Sequence, residues 1–228
     1  MSISIQADDG PPPGGVRKAL GLRANQRAVR VTGDVASELC DLASLQNDFE
    51  LTRSFLEAYF ELPEDALRAD SSEQALWIAA FTIYGRAFAN GNRHAAKPRT
   101  DVYSSDELEI HRFVVETRNK YIAHSVNAFE EAAAFAIVDD TFATLSALSV
   151  GTQHTSLRSL RPDRARSIAD MCQVQIASLN LRIRDAEDRL LSEVRQRDPE
   201  DVRNLPDLTN ATIDQGAVSR SRTARNIN

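Results

Sequence analysis

The sequence predicts a mainly α-helical bundle with a small β-hairpin insertion and a long C-terminal helix. Its 228 residues include only nine glycines and eight prolines, which leaves long stretches without a helix breaker. Within those stretches apolar residues recur every three or four positions, the spacing of a helix with one buried face. With 42% hydrophobic residues the chain can bury one substantial core, so we expect a single helical domain over residues 34–198.

Two core helices are predicted in the first half of the chain. The first begins at Asp34 and continues with apolar residues at helical spacing until Pro63 ends it. The second begins at Ser71 and Gln74, which form a capping box. Its apolar stripe is aromatic, and helical spacing assigns these rings to the core and not to stacking on bases. The stripe consists of Trp77, Phe81, Tyr84 and Phe88.

A third helix follows the polar loop of residues 90–102. Ser104 and Glu107 have capping-box spacing and predict its start. After it, small apolar residues on both sides of Asp139 and Asp140 favour a β-hairpin over residues 132–150, although this alanine-rich stretch would also suit a helix.

The last predicted helix is the longest. Pro162 suits a first helical position, and apolar residues recur at helical spacing for about 35 residues, or roughly 50 Å. Because this exceeds what one domain of this size needs, we expect the distal half to protrude or to pair with a partner. Opposite charges four residues apart, such as Asp185 and Arg189, suit an exposed helix or a coiled-coil flank.

Charge is distributed unevenly. The net charge of the whole chain is −6. Residues 1–33 carry +3 and residues 202–228 carry +2, so residues 34–201 carry −11. We expect residues 1–33 to be a disordered basic leader and residues 199–228 a disordered tail. An acidic body attracts nucleic acid poorly, so any RNA contact must be local or come from these arms.

The composition also predicts a location. The chain has two cysteines, no visible export signal and no apolar run near the roughly 18 residues that cross a bilayer. These observations predict a soluble, cytoplasmic protein without membrane contact.

The third helix ends in the chain's most reactive combination of side chains. Arg118, Asn119 and His124 place an anion binder, an amide and a group that titrates near neutrality within two turns. On an α-helix, Arg118 and His124 would lie about 120° apart. An alternative is structural, in which Arg118 bonds a carboxylate of the first helix and His124 caps its own helix. Metal-ligand spacing is absent elsewhere, so no metal site is predicted.

The string RNKYIAHS, which starts at Arg118 about forty residues after Trp77, resembles a motif of the HEPN superfamily. These are α-helical domains of bacterial toxins and anti-phage ribonucleases. Their motif is an arginine, usually followed by a polar residue such as asparagine, with four to six residues before a closing histidine. Arg118, Asn119 and His124 match it with five intervening residues. The segment is most similar to HEPN proteins of abortive-infection systems, and the resemblance in architecture covers residues 34–126.

The resemblance implies a metal-independent endoribonuclease in a toxin or phage-defence role, with no cofactor. His124 would move a proton of the ribose 2′-hydroxyl or the leaving oxygen, and Arg118 would stabilise the phosphorane. Asn119 would orient the phosphate or hold the imidazole tautomer, and Lys120 and Tyr121 would contact the RNA substrate.

The same resemblance implies partners. Two HEPN domains face each other across a shared cleft, which predicts a homodimer, and an antitoxin or another defence-system protein is a further expected partner. The HEPN toxins silenced by nucleotidylation carry a tyrosine where this chain has Val126, so we do not expect that control. The alternative function is a non-catalytic HEPN-like module that binds a nucleotide or RNA, or locks the dimer.

Overall fold

The computed structural model describes residues 20–62, 71–89, 93, 95–122, 132–139, 146–154 and 160–208. These residues form a mainly helical structure with one small antiparallel sheet, which confirms the predicted class. In chain order the elements are α1 (Asp34–Phe60), α2 (Ser71–Phe88), α3 (Ser105–Thr117), a π-helical turn (Arg118–Ile122), β1 (Ala132–Asp139), β2 (Ser146–His154), α4 (Pro162–Gln196) and α5 (Pro199–Arg203). No helix in the described ranges is long and apolar enough to cross a membrane.

The described residues belong to two compact units, whereas the sequence predicts one domain over residues 34–198. The first unit draws on Met1–Leu45, Asn90–Lys97 and Leu179–Asn228. The second draws on Gln46–Ala89 and Pro98–Ser178, and it contains the candidate segment at Arg118. The long helices α1 and α4 contribute residues to both units, because each is longer than one small core requires.

The core of the second unit is built around the aromatic stripe of α2. Trp77, Phe81 and Tyr84 are fully buried, as predicted. Tyr84 also packs edge-on against Phe49 of α1, with ring centroids 5.7 Å apart. Phe81 meets Phe113 of α3 in the same edge-on geometry at 6.0 Å. Aromatic pairs of this kind add to the burial of apolar surface, so α2 connects α1 to α3.

The predicted capping box of α3 is present. Glu107 N donates to Ser104 Oγ at 3.3 Å, and Ser104 N donates to Glu107 Oε2 at 2.7 Å. These two bonds satisfy amides that the first helical turn leaves without partners, which fixes where α3 begins.

The sequence predicts two disordered arms, and the described parts of these arms pair with each other. Val29 and Asp207 form an antiparallel bridge within the first unit, flanked by the bonds Leu208 N to Ala28 O and Arg30 N to Pro206 O. Arg27 adds an ion pair with Asp207 at 3.2 Å. Residues 199–203 form the short helix α5, capped by Asp198. The arms satisfy each other's backbone groups, which neither could do alone. Residues 1–19 and 209–228 lie outside the described part.

The predicted hairpin is confirmed as β1 and β2. Its pairing runs from Ala132 opposite His154 to Asp139 opposite Ser146, so the second strand continues beyond the predicted limit at Val150. Asp140, assigned to the turn, lies outside the described residues.

The predicted long helix is confirmed as α4, with Pro162 as its first residue and 35 residues in all. Within the first unit its last buried residue is Ala186, and every described side chain from there to Gln196 is half-buried or exposed. Leu181 and Leu191 are exposed. The sequence predicts that the distal half protrudes or pairs with a partner, whereas its residues from Leu179 onward belong to the first unit, where Leu179 and Ala186 are fully buried.

The Tyr84 hydroxyl is a polar group between α2 and α3. Tyr84 Oη lies 3.0 Å from Tyr103 Oη and 2.9 Å from His111 Nδ1. Burial, with a smaller contribution from Arg112, lowers the pKa of the half-buried His111 below its ordinary value of 6.5.

This lowered pKa predicts an acid-dependent loss of stability. Below about pH 6.5 the unfolded chain takes up the proton first, so the contribution of neutral His111 is complete above that pH and is lost as the pH falls through the lowered value. We expect urea unfolding to show a larger drop in stability from pH 7.5 to 5.5 for the wild type than for His111→Gln. Equal drops in the two proteins would assign the acid sensitivity to other groups.

Candidate functional site

The segment that carries the predicted site is a π-helical turn, not the α-helical end that the sequence predicts. Arg118–Ile122 follows α3 directly, and in this geometry the backbone bonds connect residues five apart. The α-helical angle per residue, from which the sequence places Arg118 relative to His124, is therefore not the geometry of Arg118–Ile122. Single π turns are rare, and they occur frequently at functional sites.

Tyr121 fixes the π turn to α2. Its ring is buried and stacks on Trp77, with centroids 5.8 Å apart and planes at 24°. Gln74 Nε2 donates to Tyr121 Oη over a long 3.4 Å. The sequence assigns Tyr121 to substrate binding, whereas the structure places its ring in the core, where it positions the turn.

Arg118 lies across a glycine of α2. Its side chain is half-buried, and the aliphatic stem covers Gly85. A Cβ atom added at Gly85 would lie 3.0 Å from Arg118 Cγ and 3.1 Å from Cδ, closer than ordinary van der Waals contact. Gly85 therefore provides the space in which the arginine lies. Sequence reasoning missed this residue, although a lone glycine inside an aromatic helix is the kind of signal that marks a close approach.

Asn119 holds the guanidinium. Arg118 Nη1 donates to Asn119 Oδ1 at 2.9 Å. A guanidinium has no acceptor, so the atom that faces it must be the amide oxygen, and the amide NH₂ group is directed away as a second donor. Arg118 therefore presents only hydrogen-bond donors to a ligand, and Asn119 adds the donors of its NH₂ group. That combination suits a phosphate.

The structural alternative for Arg118 finds no support among the described residues. No carboxylate of the described part lies within ion-pair distance of the Arg118 guanidinium, so the bond to α1 that this alternative requires is not observed. A half-buried arginine without a carboxylate retains most of its donors for a ligand or a partner.

Lys120 is on the exposed side of the turn. Its ammonium pairs with Glu116 Oε2 at 3.1 Å, and both side chains are more than half exposed. Exposed pairs four residues apart contribute only about 0.3–0.5 kcal/mol, so a phosphate could compete for Lys120.

Four of the five predicted site residues lie in this turn. The structure brings Arg118 and Asn119 into contact, whereas Lys120 pairs with Glu116 and the Tyr121 ring lies in the core. The fifth, His124, lies outside the described residues, so its position relative to Arg118 is not described. Within the described ranges, no group of three or more His, Cys, Asp or Glu side chains is placed to hold a metal ion.

The position of Tyr121 predicts unequal effects of two substitutions. Tyr121→Ala removes a buried ring from its stack on Trp77, and we expect it to lower the free energy of unfolding by about 3–5 kcal/mol. Tyr121→Phe keeps the ring and removes the hydroxyl that accepts the long bond from Gln74, so we expect a smaller cost, about 1 kcal/mol. Urea denaturation measures both values. A mild effect of the alanine variant would contradict the core assignment.

The contact between Gly85 and Arg118 predicts a coupling between the two positions. Glycine to alanine inside a helix ordinarily stabilises by about 1 kcal/mol. We expect Gly85→Ala to give that gain in an Arg118→Ala background, and to give less or none in the wild type, where the new methyl group displaces the arginine stem. Unfolding free energies of the four proteins complete the cycle. The same gain in both backgrounds would show that the contact has no energetic consequence.

Comparisons with known proteins do not assign the chain to a family. No family model, no curated protein and no solved structure matches it. The resemblance to the HEPN superfamily therefore rests on Arg118, Asn119 and His124 themselves.

Proposed function

We propose that the chain is a HEPN-type homodimer that cleaves RNA without a metal ion, in a toxin or phage-defence role. One observation carries the proposal. Arg118 is half-buried in a π turn, lies over a glycine and is held by Asn119, and no described carboxylate neutralises it. Arginine costs free energy when it is buried without a counter-charge, and an anionic ligand would supply one.

The proposed reaction uses the ribose of the RNA as the nucleophile. A base removes the proton of the 2′-hydroxyl, the 2′-oxygen bonds to the adjacent phosphorus, and the bond from phosphorus to the 5′-oxygen breaks as an acid protonates that oxygen. The products are a 2′,3′-cyclic phosphate and a 5′-hydroxyl end. Negative charge accumulates on the phosphorane, which exists after the 2′-oxygen has bonded and before the bond to the 5′-oxygen breaks. The Arg118 guanidinium would stabilise that charge.

Two proton transfers require two groups in opposite protonation states. Histidine has an ordinary pKa close to neutrality, which makes His124 the candidate for one transfer, but a single imidazole cannot be base and acid in the same displacement. A second copy of the chain would supply the second His124, which is why the proposal includes a homodimer. Asn119 would then act through Arg118, because its amide oxygen already accepts a bond from the guanidinium.

The second candidate function is a non-catalytic HEPN-like module that binds RNA or a nucleotide, or locks a dimer. The acidic body favours it, since residues 34–201 carry −11 and repel a polyanion. A basic antitoxin or defence-system partner would complement the same charge, and RNA would then contact only the local cluster of Arg118 and Lys120.

An RNA cleavage assay distinguishes these two functions. Purified protein is incubated with single-stranded and with structured RNA in EDTA. We expect the wild type to cut, and His124→Ala and Arg118→Ala to cut at least about 100-fold more slowly, the usual contribution of an acid–base group or of a charge-stabilising donor. Arg112→Ala is the matched control, because it removes an exposed cation from α3 outside the π turn. We expect its rate to stay within about threefold of the wild type.

If the wild type and His124→Ala cut RNA at equal rates, or if neither cuts, the proposed ribonuclease activity is rejected. If RNA then still binds and Arg118→Ala weakens that binding, the non-catalytic module is the correct function. Analysis of the cut ends adds a separate check, because a 3′-hydroxyl product would be incompatible with attack by the 2′-oxygen.

A further inference from the structure

The distal half of α4 carries two leucines on the side opposite to its buried face. Within the first unit, Leu179 and Ala186 are fully buried. Leu181 is 68% exposed and Leu191 is 47% exposed, and each lies five residues from Ala186, on opposite sides of it in the sequence. Because an α-helix turns about 100° per residue, both leucines are rotated about 140° away from Ala186. They therefore point away from the core that Ala186 faces.

Two opposite charges lie between the leucines. Arg184 and Asp188 are exposed, and each is two residues from Ala186, which rotates it about 160° away from the buried face. Within the part of the chain that the structure describes, neither side chain has a hydrogen bond or an ion pair. We call Leu181, Arg184, Asp188 and Leu191 the outer face of α4. Its two charges are both available to a partner.

The outer face is complementary to itself. Its leucines and its charges are placed symmetrically about Ala186, at five and at two residues on either side. A two-fold axis beside Ala186 pairs two copies of α4 antiparallel, and it brings each residue opposite the one equally far beyond Ala186 in the second copy. Leu181 then meets Leu191 of the second copy, and Arg184 meets Asp188 of the second copy. Both contacts occur twice, so a second copy of this chain fits the outer face in apolar surface and in charge.

The charges beside the outer face do not reverse this complementarity. In an antiparallel pair, each flank of the helix meets the same flank of the second copy. On one flank, Asp185 approaches Asp188 of the second copy, but Asp185 already forms an ion pair with Arg189 of its own copy at 2.9 Å. On the other flank, the Glu187 side chains of the two copies approach each other, and each also lies beside Arg184 of the opposite copy. Each like-charge approach is therefore accompanied by an arginine.

We propose that α4 pairs antiparallel with α4 of a second copy through the outer face, on a two-fold axis beside Ala186. Parallel pairing in register would put Arg184 against Arg184 and Asp188 against Asp188, so the pattern specifies the antiparallel arrangement. Residues 181–195 contain four arginines and four acidic residues, so the paired surface is neutral although the whole chain carries −6. The inference rests on the proposed function in that it names a surface for the homodimer which the ribonuclease requires.

Sedimentation of the full chain at about 1 μM to 1 mM gives the dimer dissociation constant. The outer face is only about 15 Å long, so we expect a weak dimer, at about 1–100 μM. Arg184→Asp and Asp188→Arg should each raise this constant at least about tenfold, because each places like charges opposite each other twice. Asp188→Arg does so although it makes the chain less acidic. Glu193→Arg is the matched control, since it makes the same charge change at an exposed position of α4 rotated about 140° from Asp188. We expect it to change the constant less than about threefold.

Exchanging the two charges distinguishes a lost contact from a damaged fold. The double variant Arg184→Asp/Asp188→Arg restores both ion pairs with their signs reversed, so we expect its dissociation constant within about threefold of the wild type. An equimolar mixture of the two single variants should form a heterodimer, because one copy then carries two aspartates and the other two arginines. A wild type that stays monomeric, single variants with an unchanged constant, an equal effect of Glu193→Arg, or a double variant that remains dissociated would each overturn the α4 interface.

These measurements contain no RNA, so they separate this inference from the ribonuclease. A protein that cuts RNA through His124 while its dimer is unaffected by Arg184→Asp and Asp188→Arg keeps the proposed function and loses the α4 interface. A protein that dimerises through α4 and cuts no RNA keeps the interface and loses the ribonuclease.

Discussion

The stack of Tyr121 on Trp77 is the contact on which the candidate site depends. It holds the turn after α3 against α2, and the edge-on contact between Phe81 and Phe113 continues the same line of rings. Because these contacts set how α3 lies along α2, they also determine that Arg118 meets Gly85. The position of the arginine is thus a consequence of aromatic packing.

The elements that could be predicted from the sequence are those with local causes. The capping box at Ser104, the proline that opens α4 and the aromatic stripe of α2 each depend on residues within a few turns of one another. The hairpin follows from small apolar residues on both sides of an acidic pair, and only the extent of β2 differs. Hydrophobic spacing and capping are sufficient for these features, because their free energies arise within the element itself.

The features that could not be predicted involve residues far apart in the chain. Val29 and Asp207 are separated by almost the whole sequence, and no local pattern indicates that two polar arms will pair. The π turn also involves a residue far away in the chain, since Tyr121 stacks on Trp77 of α2, whereas the local sequence predicts an α-helical end for Arg118–Ile122. For the site, the sequence identifies Arg118 and Asn119 as candidates, but it indicates neither that they bond to each other nor that Gly85 provides the space for the arginine.

The aromatic stack has a spectroscopic consequence. Trp77 is the only tryptophan in the chain, it is fully buried, and the tyrosine against it is three residues from Arg118. Tryptophan fluorescence therefore reports on one place, the underside of the π turn, and requires no label. Any event that lifts the turn from α2 would admit water to the indole and shift its emission to longer wavelength. The fold thus contains its own optical probe beside the arginine.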